Sequence, residues 1–357
     1  MRLFLTGASG LLGGNFAAVA ARAGHEVVGT VGGWTGAPIP GLATQMRLEL
    51  RNGAALEAAV RRARPEAIVN CAAVSDPGQC EREPELAAAL NVELPRQLAT
   101  LAQKLGVRLI HVSTEQVFDG SGAPYSVDDP VAPINGYARL KADSEREVVA
   151  AAPLLSAVVR APLLMGNSPG GRRSVHERLL LDWSEGRVAR LFNDEIRQVA
   201  MADNLAAVLL ELCVRCELCG VFQWAGAEPV SRHWLGLAIA ARFGIPAQGR
   251  VVVAHLLGTP LAATRPPDLR LDLRPLTELL STRPEPLGPQ LARLVVPEAL
   301  LGAMGKLRNG PLPWAQPEPS GAADGNAGPA SAWDGRRPRC CGVTAVSKAW
   351  MRGRARP

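Results

Sequence analysis

Tyr137 and Lys141 stand four residues apart in the stretch NGYARLKAD. On a helix, residues i and i+4 share a face, so a phenol and an ammonium would project together. A free phenol, with a pKa of about 10, is a weak acid at neutral pH. A neighbouring ammonium favours the phenolate and brings the group nearer its working range. Thr114, in preference to Ser113, ends an apolar run upstream in HVSTEQVFDG. Its hydroxyl can donate to a carbonyl oxygen while Tyr137 passes a proton to the developing alkoxide. The chain has only two tyrosines, Tyr125 and Tyr137, so a chance Y-x-x-x-K match is the weaker reading.

A carbonyl protonated in this way needs a hydride, and the opening residues suggest its source. Thr6 to Gly13 read TGASGLLG, which places Gly7, Gly10 and Gly13 in G-x-x-G-x-x-G spacing between an apolar run and an Ala-rich stretch. The first glycine permits a tight turn, the second lets backbone approach a pyrophosphate, and the third lets helix pack on strand. Unpaired N–H groups around Ser9 and Leu11, at a helix N-terminus, would hold the phosphates. A nicotinamide dinucleotide is therefore expected, with Lys141 also holding its ribose. The second strand usually ends in an acid for the ribose hydroxyl; here Thr30 stands in that place, and no arginine follows closely. NADP(H) is favoured, with NAD(H) the alternative.

These residues need a scaffold. Strands are expected at 2–6, 25–30, 46–50, 67–71, 107–113 and 157–164, alternating with helices at 11–23, 53–63, 85–105 and 137–151. That alternation predicts an α/β fold, a Rossmann-type doubly wound parallel sheet, over residues 1–165. Helices at 175–186, 203–219, 231–243 and 288–294, with short strands near 220–224 and 250–253, predict a smaller substrate-binding lobe over 166–305. Segments around 198–226 are expected to return to the first domain. Residues 306–357 form a basic Pro/Gly/Ala-rich tail expected to be disordered.

The formal charge of +6 hints at nucleic-acid binding until it is located. From Lys306 onward there are nine basic and three acidic residues, so the tail carries all of it and residues 1–305 are neutral. No nucleic-acid partner is expected. No stretch reaches the roughly 18 to 20 apolar residues of a membrane span, and no apolar leader precedes the first strand. The seven cysteines show no secretory spacing, so a reducing cytoplasm is the expected location. Cys213, Cys216 and Cys219 have C-x-x-C-x-x-C spacing, yet they continue a helical run and lack a fourth ligand, so no metal site is expected. Cys340 and Cys341 fall in the tail. His111 reads as a core residue.

TGASGLLG, NCAAVSDPGQCEREPELAAALNVELPRQLA, HVSTEQVFDGSGAPYSVDDPVAPINGYARLKADSE and RPPDLRLD together resemble the extended short-chain dehydrogenase/reductases. The likeness is to the dTDP-4-dehydrorhamnose reductase branch, which includes the methionine adenosyltransferase regulatory subunits, and covers roughly residues 1–295. The resemblance implies that Asn70, Ala72 and Ala73 lie beside the cofactor with Asn91 behind them. It implies that Arg160 and Pro162 approach the nicotinamide and that Thr114, Tyr137 and Lys141 are catalytic. It further implies reduction of the 4-keto group of a nucleotide-linked 6-deoxy sugar. Departures exist: the usual S-T-D-Y-V-F reads STEQVF, leaving Glu115 for the acid, Glu49 replaces an aspartate, and Met165 replaces a tyrosine. Thr114 and Glu115 are candidate substrate ligands. Arg197 could grip a nucleotide diphosphate or form a structural ion pair. A non-catalytic regulatory subunit is the alternative, a dehydratase a weaker one, and a homodimer is possible.

Overall fold

The computed structural model describes residues 1–308. The first half runs β1 (Arg2–Thr6), α1 (Leu11–Arg22), β2 (Glu26–Val31), β3 (Thr44–Arg47), α2 (Gly53–Ala63), β4 (Ala67–Asn70), α3 (Pro77–Arg82), α4 (Pro84–Ala88), α5 (Leu94–Leu105), β5 (Arg108–Thr114), α6 (Gly136–Ala151) and β6 (Ser156–Ala161). The second runs β7 (Leu164–Met165), α7 (Val175–Ser184), β8 (Ala189–Phe192), β9 (Ile196–Arg197), β10 (Ala200–Met201), α8 (Ala202–Val214), β11 (Gly220–Gln223), β12 (Val230–Ser231), α9 (Arg232–Arg242), β13 (Val251–Ala254), α10 (Leu276–Leu279), α11 (Leu287–Ala292) and α12 (Leu301–Arg308).

Seven strands form one parallel sheet in the order β11-β6-β5-β4-β1-β2-β3. Leu3, Leu5, Val69, Ile110 and Val159 face one buried layer with α1 and α8, and Phe4, Ile68, Leu109 and Val158 the opposite layer with α2 and α5. Apolar residues on both faces are what a central parallel strand requires. Strand order reverses between β1 and β4, so the crevice at their carboxyl ends lies where Gly7, Asn70 and Thr114 emerge. A separate apolar cluster, including Leu180, Trp183, Leu235, Ile239, Phe243 and Met304, packs α7, α9 and α12 together.

Several local expectations shift. The helix expected at 85–105 breaks into α4, a π-helical turn over Ala89–Glu93, and α5. Pro95 has no N–H for the carbonyl of Asn91, and the spacing widens just before it. β6 stops at Ala161 because Pro162 cannot donate to a ladder. β3 sits at 44–47, not 46–50, where Thr44 to Arg47 pair with Val28 to Val31. α8 ends at Val214 and leaves Cys216 and Cys219 outside the helix; Arg108 donates to the carbonyls of Leu212, Arg215 and Leu218 there. The segment before α4 supplies α3, which periodicity did not reveal. α12 includes the first three residues of the expected tail, and the remainder lies outside the described residues.

Candidate active site

Gly7, at φ +72°, turns the chain out of β1. A Cβ there would stand 2.7 Å from the backbone nitrogen of Ala72, and one on Gly13 would stand 2.2 Å from the Gly7 carbonyl oxygen. Backbone therefore packs too closely for any side chain at either position. Gly10 caps α1 with no side-chain acceptor, and the first turn carries no acid, so the amides around Leu11 remain available to an anion. Ser9 and Leu11 are half-buried beside them. At the end of β2 the Thr30 hydroxyl is buried and lacks a hydrogen-bond partner. A polar cradle with an orphaned hydroxyl fits a dinucleotide.

The Asn135 side chain accepts from the Ala138 amide at 2.8 Å and starts α6, which puts Tyr137 in the first turn and Lys141 one turn on. Tyr137 is 8% exposed and Lys141 1%, and Thr114 ends β5 at 6%. The Thr114 hydroxyl lies close enough to Tyr137 to favour its phenolate. The ammonium was expected to draw the phenol down toward neutrality; the net shift is the opposite. Burial pushes Tyr137 up to about 12, against the lowering pull of Thr114. Burial also brings Lys141 down to about 8, opposed by Glu145 and Cys71. Desolvation outweighs the local charges at both groups. Tyr137 consequently carries its proton at neutral pH.

Behind Lys141 lies a dry polar chain. Thr6 donates to Asn70 at 2.6 Å, Asn70 contacts His111 Nδ1 at 3.0 Å, and His111 Nε2 lies 3.2 Å from Lys141 Nζ. His111 is thus a satisfied core residue, and it also touches the lysine. Asn91, at the π-helical turn, accepts from the Val74 amide at 2.9 Å and donates to its carbonyl at 3.0 Å. It pins the segment holding Ala72 and Ala73.

Arg160, expected near the nicotinamide, has its guanidinium taken up by its neighbours. It pairs with Glu145 at 2.9 Å, donates to the Val127 carbonyl, and lies over the Phe118 ring. Ser113 donates to the same carboxylate at 2.5 Å. Arg197 is likewise committed: it donates to the carbonyls of Ile196, Pro266 and Pro267 and pairs with Glu195 at 3.1 Å and Glu115 at 3.4 Å. The ion pair offered as one of its two uses is present.

Sequence reasoning missed the surroundings of that pair. Glu195 also binds Arg265 at 2.7 Å and lies 4.0 Å from Arg232. Arg232 Nε and Nη1 and Glu115 Oε2 are buried without hydrogen-bond partners. Burial raises the Glu115 carboxyl to about 8, against Arg197 and the Leu163 amide. Arg47 was missed too; pairing of β2 with β3 sets it beside Val31, where it donates to the carbonyls of Gly32 and Trp34. Only strand register could have revealed it. Glu49 lies past β3, exposed and paired with Arg51. Among the described residues no cluster of His, Cys, Asp and Glu could hold a metal ion, and no helix is long and apolar enough to cross a membrane.

The sheet order, the glycine turn at its switch point and the Tyr137–Lys141 helix define the class of extended short-chain dehydrogenase/reductases, which are NAD(P)-dependent oxidoreductases. Within it, residues 1–299 match the family described as the RmlD substrate binding domain, and the chain belongs to that family. It is 31% identical over 239 residues to methionine adenosyltransferase 2 subunit beta of Xenopus laevis, covering 65% of this chain and 70% of that one. It is 35% identical over 212 residues to dTDP-4-dehydrorhamnose reductase of Streptomyces griseus, covering 58% and 64%. The chain thus spans just under two thirds of the Streptomyces relative. The crystal structure of a hypothetical dTDP-4-dehydrorhamnose reductase from Sulfolobus tokodaii superposes with a TM-score of 0.69 at 29% identity, covering 83% of this chain and all of that one.

Proposed function

We propose that the chain is an NADP(H)-preferring reductase of a nucleotide-linked 4-keto-6-deoxy sugar. The observation that carries this reading is the joint burial of Thr114, Tyr137 and Lys141 at the sheet edge that also carries the glycine turn. The turn amides around Gly7, Gly10 and Gly13 would hold the pyrophosphate, and Thr30 the adenosine ribose. A reduced nicotinamide bound there would supply the hydride. Thr114 donates to the sugar carbonyl and fixes it, Tyr137 gives its proton to the oxygen, and Lys141 holds the ribose. The orphaned oxygen of Glu115 and the orphaned donors of Arg232 would meet polar groups of the sugar nucleotide.

The preference for the phosphorylated cofactor rests on Arg47, whose guanidinium stands beside the end of β2. Replacing it (Arg47→Ala) is expected to weaken NADPH binding by roughly tenfold, about 1.4 kcal/mol, and leave NADH unchanged, as measured by cofactor fluorescence.

The functional test follows NADPH consumption with dTDP-4-keto-6-deoxy-L-mannose. Tyr137→Phe should cut turnover by roughly 10²- to 10⁴-fold while cofactor still binds. The relative from Xenopus laevis, a subunit by name, motivates a second reading as a regulatory, dinucleotide-binding subunit. Tight cofactor binding with no wild-type turnover would select that reading.

A further inference from the structure

We infer that His111 is a positioning residue for Lys141: its ring tautomer, and the amide orientation of Asn70 behind it, change with the charge on the lysine. The argument is one of donor counting. His111 Nε2 lies 3.0 Å from Ser144 Oγ and 3.2 Å from Lys141 Nζ. Ser144 already gives its single hydrogen to the Lys141 carbonyl at 2.7 Å. An ammonium can only donate, and a neutral imidazole nitrogen carries either a hydrogen or a lone pair.

When Lys141 is charged, Nε2 must present its lone pair and the ring hydrogen must sit on Nδ1. Asn70 then turns its oxygen to Nδ1 and its amide to Thr6. When Lys141 is neutral, the ring hydrogen moves to Nε2 and points to Ser144. Nδ1 then accepts from Asn70, and Thr6 donates to the Asn70 oxygen. Each arrangement gives both ring nitrogens a partner, and a mixture leaves a buried ring nitrogen unpaired. Thr6, Asn70, His111, Lys141 and Ser144 are each at most 1% exposed, which leaves no solvent to substitute.

Burial and the neighbouring lysine hold His111 neutral, well below its ordinary range. The other ionisable groups acting on Lys141 are Glu145 from α6 and Cys71 just past β4. Glu145 is committed to Ser113 and Arg160. Cys71 is pushed up to about 12 by burial and keeps its proton. His111 is the partner whose hydrogens can rearrange. The chain ends at Thr6, the residue from which the dinucleotide turn departs, so the state of the lysine is felt at the base of that turn.

The test is long-range ¹H–¹⁵N spectroscopy of the full chain carrying ¹⁵N-labelled histidine. As pH passes the Lys141 value of about 8, the protonated ring nitrogen of His111 should move from Nδ1 to Nε2. In Lys141→Met it should stay on Nε2 throughout. One tautomer at every pH in the wild type, or the same exchange in Lys141→Met, overturns the inference. The kinetic arm rests on the reductase reading. There His111→Gln should keep the basic limb of kcat in place, and His111→Leu should move it down by roughly one pH unit with KM unchanged. A limb that stays put in both variants overturns the kinetic role. An inactive wild type that still shows the tautomer exchange refutes the reductase reading alone.

Discussion

Two buried carboxylate–guanidinium clusters share this site, and they differ in how completely they are paired. In the first, Glu145 accepts from Ser113 and from Arg160, whose third nitrogen donates to the Val127 carbonyl. In the second, Glu115, Glu195, Arg197, Arg232 and Arg265 crowd together, yet Glu115 Oε2 and two nitrogens of Arg232 have no hydrogen-bond partner. A closed cluster fixes β5, α6 and β6 against one another. An open one retains unspent polarity at a desolvation cost, which is tolerable where a ligand completes it.

The comparison can be broken most decisively at Glu145. Glu145→Ala leaves Arg160 charged and buried without its partner, and should cost about 3–5 kcal/mol of stability, read by denaturant unfolding. A loss below 1 kcal/mol would mean the closed cluster is not scaffold. Glu115→Gln sharpens the contrast through pH. The folded-state value is raised from 4.5 to about 8, so the folded chain binds more protons than the unfolded one across that window. Wild-type stability should therefore fall as pH rises from about 4.5 to 8, and Glu115→Gln should flatten the fall in thermal melts. Arg232→Met has the smallest effect on folding, within about 1 kcal/mol, because two of its donors have nothing to lose. Its effect should appear in binding: titration with dTDP should show about tenfold weaker affinity. Unchanged affinity would remove Arg232 from the ligand subsite.

The parts of this site legible in the sequence are those encoded over short distances. The glycine spacing from Gly7 to Gly13 and the one-turn separation of Tyr137 and Lys141 require no knowledge of distant neighbours. The alternation of apolar runs and helices likewise gives a parallel sheet from local pattern. What escaped depends on pairing across the chain. Arg47 reaches the end of β2 through strand register. The partners of Arg197 come from residues 115, 195, 266 and 267. The upward displacement of the Tyr137 phenol follows from enclosure, which a helical spacing does not report. The π-helical turn at Asn91 was concealed inside a continuous helical pattern, with Pro95 as its single clue.

β11 has a consequence for how the molecule is made. It is one of the two edge strands of the sheet, paired to β6 through Gly220↔Ala157 to Gln223↔Arg160, yet it is encoded some sixty residues later, after α7 to α8. A nascent chain that had only reached residue 166 would expose β6 as a naked edge, open to pairing with another chain. Closure must wait for Gln223 to leave the ribosome, so chains cut between those points should aggregate during synthesis, and separate expression of residues 1–165 is a poor route to the dinucleotide-binding half.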